Sequence, residues 1–385
     1  MGSKRIRVPI KPELLRWARE RAGYTLSSLA RQFPRYAEWE QGKTFPTLKQ
    51  VERLAHKFRV PMGLLFLDSP PKAMLPIPDF RTMPEAPEHP NPDLLDTIFH
   101  CQERQAWYRE YLQRLGAKPL LFVRKVTLDD DPVTIATDIR QLLMFEVEQR
   151  RKMRSWTEAW RYFAKQAESA GILVMSSGVV GNNPHRKLDP QEFRGFVLVD
   201  DLAPVIFINA ADTKAAQIFT LAHELAHIWL GESGISDVQM RMPTDHPVER
   251  WCNQVAAELL VPIQTFRQVY QPHAPLRGEL DRLARYFKVS TLVILRRIHE
   301  IGALTREEFW QAYDEELAYL RRFERRVEGG GNFYSTLRIR VSEAFARAVV
   351  VSTLEGQTLF RDAYRMLGIR KPETFRKFAK SLGIG

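Results

Sequence analysis

The chain has 385 residues, a formal net charge of +11, and 44% apolar against 27% charged residues. That profile excludes a disordered or fibrous chain and fits a soluble globular protein of two or three domains, each with its own core. The cation surplus suits a nucleic acid or an acidic protein partner.

No apolar run reaches bilayer-spanning length and no signal-peptide hydrophobic region opens the chain, so no membrane role is expected. Cys101 and Cys252 are too few for a disulfide framework, which points to a reducing, cytoplasmic setting.

Residues 1–68 read as a set of short helices. Pro12 suits a first helical turn, with Leu14, Leu15, Trp17 and Ala18 on one apolar face. Thr25 caps a second helix, a third holds Tyr36, Ala37 and Trp39 and ends at Gly42, and Thr47 caps a fourth. Pro61 starts a last short one. Trp39-Glu-x-Gly-Lys and Pro46-Thr-Leu-x-Gln-Val-x-x-Leu-Ala resemble an Xre-type helix-turn-helix domain, a fold that inserts a recognition helix into the major groove. The stretch from Arg31 to Glu38 is shorter than in that family, and Pro34 sits where its turn belongs. The recognition helix is therefore expected to be short, with Glu38 and Glu40 at its exposed end and Arg31, Arg35 and Lys43 left as DNA-contacting candidates. Docking a protein is the competing role for such a shortened module.

Residues 69–92 carry eight prolines, too many for a packed helix or central strand, and read as an extended linker. Within it, Leu75–Thr82 is apolar enough to lie in a groove of the next domain as an internal inhibitor. Residues 93–265 form the next unit. Helical patterns fill 93–115 and 132–170. Short β-rich runs at 171–175, 195–199 and 204–209 then predict a small antiparallel sheet. Residues 266–328 are helical, and 280–298 again looks like a helix-turn-helix in which Arg296 and Arg297 could touch DNA. Its apolar richness favours packing on the core. A turn at Gly329 opens a basic C-terminal unit, 329–385.

The chemistry is concentrated at 223–227, His-Glu-Leu-Ala-His, inside a helical apolar run. Positions i and i+4 share a helix face, so His223 and His227 can hold one metal ion, and Glu224 can act as base toward water there. This is the H-E-x-x-H arrangement of zinc metalloproteases. A third ligand is needed. Glu249 and Glu258, on a helix expected at 249–262, are the candidates, with Asp237, Asp245 and His246 in the preceding loop as lesser ones. Asn209, Asn253 and Glu258 are possible supports around the metal, and His185 and Tyr162 are conceivable oxyanion partners.

His-Glu-Leu-Ala-His followed by Glu249-x-x-Cys-Asn-x-x-Ala-Ala-Glu-Leu-Leu-Val-Pro, with Phe219-Thr-Leu-Ala and Ile206-Phe-Ile-Asn before it, resembles the ImmA/IrrE metallopeptidases over roughly residues 160–265. The resemblance implies Glu249 as third Zn2+ ligand. It also implies an α+β, mainly helical fold, with a zincin-like core of small sheet and HExxH helix flanked by helical domains. It suggests a zinc endopeptidase cleaving a specific repressor or antitoxin-like protein encoded nearby, coupled to transcription or stress response. The alternative is a DNA-binding regulator, or the antitoxin of a toxin–antitoxin pair, with little or no proteolysis. Oligomerisation is compatible with either.

Overall fold

A computed structural model describes residues 7–58, 60–71, 75–79, 91–236, 246–323 and 333–384. The chain divides into two compact units, Met1–Pro76 with Met83–Ile98, and Ile77–Thr82 with Phe99–Gly385.

In the first unit, α1 (Pro12–Arg21), α2 (Leu26–Ala30), α3 (Tyr36–Glu40) and α4 (Leu48–Phe58) precede a 3-10 turn at Met62–Phe66. Side chains set the helix starts. Thr25 accepts the Ser28 N–H at α2, and the Gln50 side chain reaches back 2.8 Å to the Thr47 N–H at α4. Leu14, Leu15, Tyr36, Trp39, Val51, Leu54 and Phe58 close the core. One expectation changes here. Glu40 is not at an exposed helix end: it is buried, and the Arg19 guanidinium donates to both its oxygens at 2.8 Å. With only five residues, α3 turns its last residue inward.

The helix α5 (Pro92–Arg114) has its residues from Phe99 onward in the second unit. Then come α6 (Pro132–Leu142), α7 (Val147–Lys152) and α8 (Trp156–Ser169), the last capped by Ser155. Four strands follow: β1 (Leu173–Ser177), β2 (Gly195–Leu198), β3 (Val205–Asn209) and, after α9 (Lys214–Leu230), β4 (Gly234–Ser236). Their order is β1-β3-β2-β4. The sheet is mixed rather than antiparallel as expected, because β1 and β3 run parallel while β2 opposes both β3 and β4. The β2–β3 hairpin places β3 between β1 and β2, so the third strand follows the direction of the first. All four strands are buried along their length, which removes the polar alternation of a half-exposed sheet. Val174, Val197, Ile206 and Ile208 join the core around α9, whereas Phe196 and Phe207 stack 5.0 Å apart on the other face.

At the sheet's β4 edge, the described part of the proline-rich segment pairs in. Asp79 bridges Ile235 in parallel, the Ile235 N–H donates to Pro78 O at 3.0 Å, and Ile77 is buried.

Beyond the sheet lie α10 (Pro247–Leu260), α11 (Ile263–Val269), α12 (Leu276–Phe287), α13 (Thr291–Glu300) and α14 (Arg306–Phe323), then α15 (Phe333–Val341), α16 (Glu343–Leu354), α17 (Phe360–Leu367) and α18 (Pro372–Ser381). Three buried arginines fasten the C-terminal end of α10. Arg140 and Arg150 donate to the carbonyls of Glu258 and Leu260 at 3.0 and 2.7 Å, and Arg297 pairs with the Glu258 carboxylate at 2.8 Å. Cations at a helix C-terminus satisfy its last carbonyls and favour its dipole. Leu280, Leu283, Phe287, Ile294 and Ile298 of α12 and α13 belong to the main core, so this pair packs, as its apolar content suggested. The Gly329 turn lies outside the described residues. No helix among the described residues is long and apolar enough to cross a membrane.

Candidate metal centre

The helix α9 starts at Thr213, whose hydroxyl accepts the Ala216 N–H, and ends at Gly231 with φ 84°. It is unusual in being buried continuously from Gln217 to Trp229, so the five motif residues sit in the core rather than on an amphipathic surface. The helix α10 packs against it and begins at Pro247, two residues before the expected start, which puts Glu249 in its first turn.

Two helices therefore bring three ligand-type side chains together. His227 Nε2 lies 3.1 Å from His223 Nε2, and Glu249 approaches His223 Nε2 at 3.3 Å and His227 Nε2 at 3.0 Å. All their ligand atoms fall within 4.8 Å of one another, and each residue is buried. The other ring nitrogen of His223, Nδ1, is 3.1 Å from Asn253 Oδ1, the kind of support that orients a metal-ligating imidazole. Ser236 Oγ is 3.5 Å from His227 Nε2.

The donor set fits a divalent cation. Two imidazole nitrogens and a carboxylate converge with no positive partner other than each other. The Glu224 carboxylate is fully buried, with Ser236 its one polar hydrogen-bonding neighbour among the described residues, and burying a charged group so sparsely satisfied is costly unless a ligand engages it. The electrostatics agree. Burial pushes the Glu224 carboxyl up to about 8, with Glu249 adding repulsion against the attraction of His223. Burial also disfavours ionised Glu249, but the charge of His223 and the hydrogen bonds of both imidazoles outweigh it and hold its carboxyl down at about 2. Burial opposes charging of His223, yet its contacts with Glu249 raise its pKa overall, whereas burial lowers that of His227.

The other candidates from the sequence are placed as follows. Asn253 is beside His223. Asn209 is not at the centre: its amide donates to Phe193 O at 3.1 Å and its carbonyl accepts the Ala211 N–H, closing the turn after β3. Glu258 is likewise removed, held by Arg297 and accepting the Ile263 N–H. Arg297, offered as a DNA contact, is buried in that ion pair, and Arg296 pairs with Glu300 at 3.3 Å. Arg31 and Lys43 are exposed, while Arg35 is neutralised by Glu38 at 2.8 Å. Tyr162 donates to Met144 O and His185 is exposed in a loop; neither is a partner of the motif. His246 is the residue before α10, and Asp237 and Asp245 lie outside the described residues.

Two residues at the centre had no evident sequence signal. Gly195 and Ser236 are register partners on β2 and β4, and both face the motif. A Cβ on Gly195 would meet Thr220 Cγ2 at 2.7 Å, Phe207 O at 2.9 Å and Glu224 Oε1 at 3.0 Å. Only glycine allows this strand to lie so close to the helix.

Residues 167–299 match the family described as the IrrE N-terminal-like domain. Residues 341–381 match a domain of unknown function (DUF8813). The radiation response metalloprotease IrrE of Deinococcus radiodurans is 34% identical over 101 residues, covering 25% of this chain and 31% of that protein. The chain thus matches about a third of the length of this curated relative. Taken with the geometry, these similarities support an ImmA/IrrE-type, metallopeptidase-like domain over the matched region, with a small mixed sheet set against its H-E-x-x-H helix.

Proposed function

We propose that the chain is a zinc-dependent regulatory endopeptidase that cleaves one specific protein, a repressor or antitoxin-like partner encoded nearby, in the cytoplasm. The observation that carries this reading is the buried convergence of His223, His227 and Glu249 beside the fully buried Glu224 carboxylate.

His223, His227 and Glu249 would hold the ion. A bound Zn2+ supplies Lewis acidity to a substrate carbonyl and acidifies water in the site. Glu224 accepts the proton of the attacking water and returns it to the departing amine, a role suited to a carboxylate whose pKa burial has brought near neutrality. Asn253 keeps the His223 ring aligned. An extended substrate strand would reach the centre by adding to the edge of β4, whose Ser236 adjoins His227. The chain's own Ile77–Asp79 pairs with that edge, which supports an internal inhibitory segment and so a controlled peptidase rather than a digestive one.

The test is Glu224→Gln. The variant should bind zinc as the parent does and lose cleavage of a validated partner by at least about a hundredfold; parental cleavage by the variant would overturn the mechanism. The competing reading, a DNA-binding regulator or antitoxin, draws on exposed Arg31 and Lys43. Filter binding to the neighbouring promoter at several salt concentrations separates the two.

A further inference from the structure

One group of cations lies along a single helix face, far along the sequence from the metal centre. On several helices of the second unit, arginines pair with a carboxylate a turn away. Arg277 pairs with Asp281 on α12, Arg282 with Glu279 on the same helix, Arg296 with Glu300 on α13, and Arg347 with Glu343 on α16. The last helix, α18, has no such pair. Its residues Phe375, Phe378 and Ala379 are buried, and the opposite face shows Glu373, Arg376, Lys377 and Lys380 to solvent. Arg370 and Lys371, immediately before the helix, are exposed too. None of these five cations is ion-paired among the described residues. The single acid, Glu373, stands in the first turn, where the helix dipole favours it.

The setting of α18 is as specific as its charge. It follows α17 across a four-residue connection, 368–371, that opens with Gly368 at φ 68° as the helix-ending residue. Ile369 in that connection is buried, and Phe375 of α18 packs on Phe360 and Tyr364 of α17, with ring centroids 5.6 and 5.5 Å apart. Two helices joined by a short turn with a glycine, the second presenting a polar outer face, is the plan of a helix-turn-helix. From Glu373 to Lys380 the exposed stripe is about 10 Å long at 1.5 Å per residue. Such a helix enters the major groove of B-form DNA, which is about 12 Å wide, whereas the deep, narrow groove of duplex RNA does not admit it.

We propose that α17 and α18 form a double-stranded DNA-binding unit in which α18 lies in the major groove, with Arg376, Lys377 and Lys380 contacting phosphates and base edges and Arg370 and Lys371 contacting the backbone at its entry. This site is independent of the peptidase reading and of the N-terminal helices.

Fluorescence anisotropy of the full chain with a labelled duplex of about 30 base pairs, from about 50 to 200 mM salt, tests it. The triple variant Arg376→Ala/Lys377→Ala/Lys380→Ala should bind at least about tenfold more weakly, and the slope of log affinity against log salt should shrink by between about 2 and 3. The charge-conserving triple Arg376→Lys/Lys377→Arg/Lys380→Arg should keep most of the affinity, and Arg31→Ala/Lys43→Ala should keep the steeper slope. Thermal melts matching the parent certify the folding of each. The proposal is overturned if the parent does not bind duplex at the lowest salt or if the alanine triple matches it in affinity and slope. It is equally overturned if the N-terminal double variant alone abolishes binding. Stronger binding of polyglutamate than of duplex would make the stripe a face for an acidic protein and would sink it as well.

Discussion

A carboxylate meant to act as a base must be buried enough to be basic and placed so that it stays reactive. On the proposed reading, Glu224 meets both conditions through a residue that carries no functional group. Gly195 keeps β2 close above it, and any Cβ there would press on Thr220 Cγ2, the Phe207 carbonyl and Glu224 Oε1 together. Gly195→Ala should therefore displace the base while leaving the three metal ligands in place. We expect metal affinity within about threefold of the parent, a loss of roughly 1–3 kcal/mol in stability from overpacking, and a fall in kcat of at least about tenfold. Equal kcat in a folded, metal-loaded variant would remove Gly195 from the machinery. Metal titration and single-turnover cleavage read the two effects separately.

At the scale of elements, the edge of the sheet is where control would act. Strand edges invite pairing, and β4 has its edge engaged by Ile77–Asp79, so an incoming substrate strand would have to displace it. Ile77→Asp places a charge at a position only 9% exposed and should loosen this pairing. Cleavage of the partner should rise several-fold, and deletion of residues 72–90 should act in the same direction; unchanged rates in both folded variants would exclude the segment as an inhibitor. The same elements show what sequence could reveal. The convergence of His223, His227 and Glu249 was legible because helical spacing and one family resemblance constrain it strongly. The helix starts at Thr25 and Thr47 were legible because capping is local, whereas the start at Ser155 fell inside a stretch read only as helical. The strand order was not, since nothing local tells β3 to insert between β1 and β2. Nor was β4, a three-residue strand whose identity comes only from its partners. Glu258 and Asn209 are polar residues near the motif in sequence whose destinations, Arg297 and the turn after β3, depend on tertiary packing.

At the scale of the molecule, stability should carry a pH signature. Glu168, near the end of α8, accepts the Glu343 N–H at 3.0 Å at the start of α16, and burial raises its carboxyl to about 7. A folded pKa above the unfolded value of about 4.5 means that the folded state holds the proton more tightly. Its contribution is therefore complete below pH 4.5 and lost as pH rises through 7. The unfolding free energy from denaturant melts should fall across that window by up to roughly 3 kcal/mol from this group, and Glu168→Gln should flatten that part of the profile. A parental slope in the variant would assign the effect elsewhere.

Cys252 stands on α10 three residues after Glu249, fully buried, with its thiol held protonated by burial well above its usual range; Cys101 is buried likewise, its thiol pushed up to about 12. A buried, protonated thiol does not react with an alkylating reagent. Labelling must wait for the surrounding helices to part, so each cysteine times a local opening. Modification of Cys252 should slow as zinc is added, because an ion bound between α9 and α10 opposes their separation. The molecule thus carries its own clock for the integrity of the centre, readable by mass spectrometry without altering a single residue.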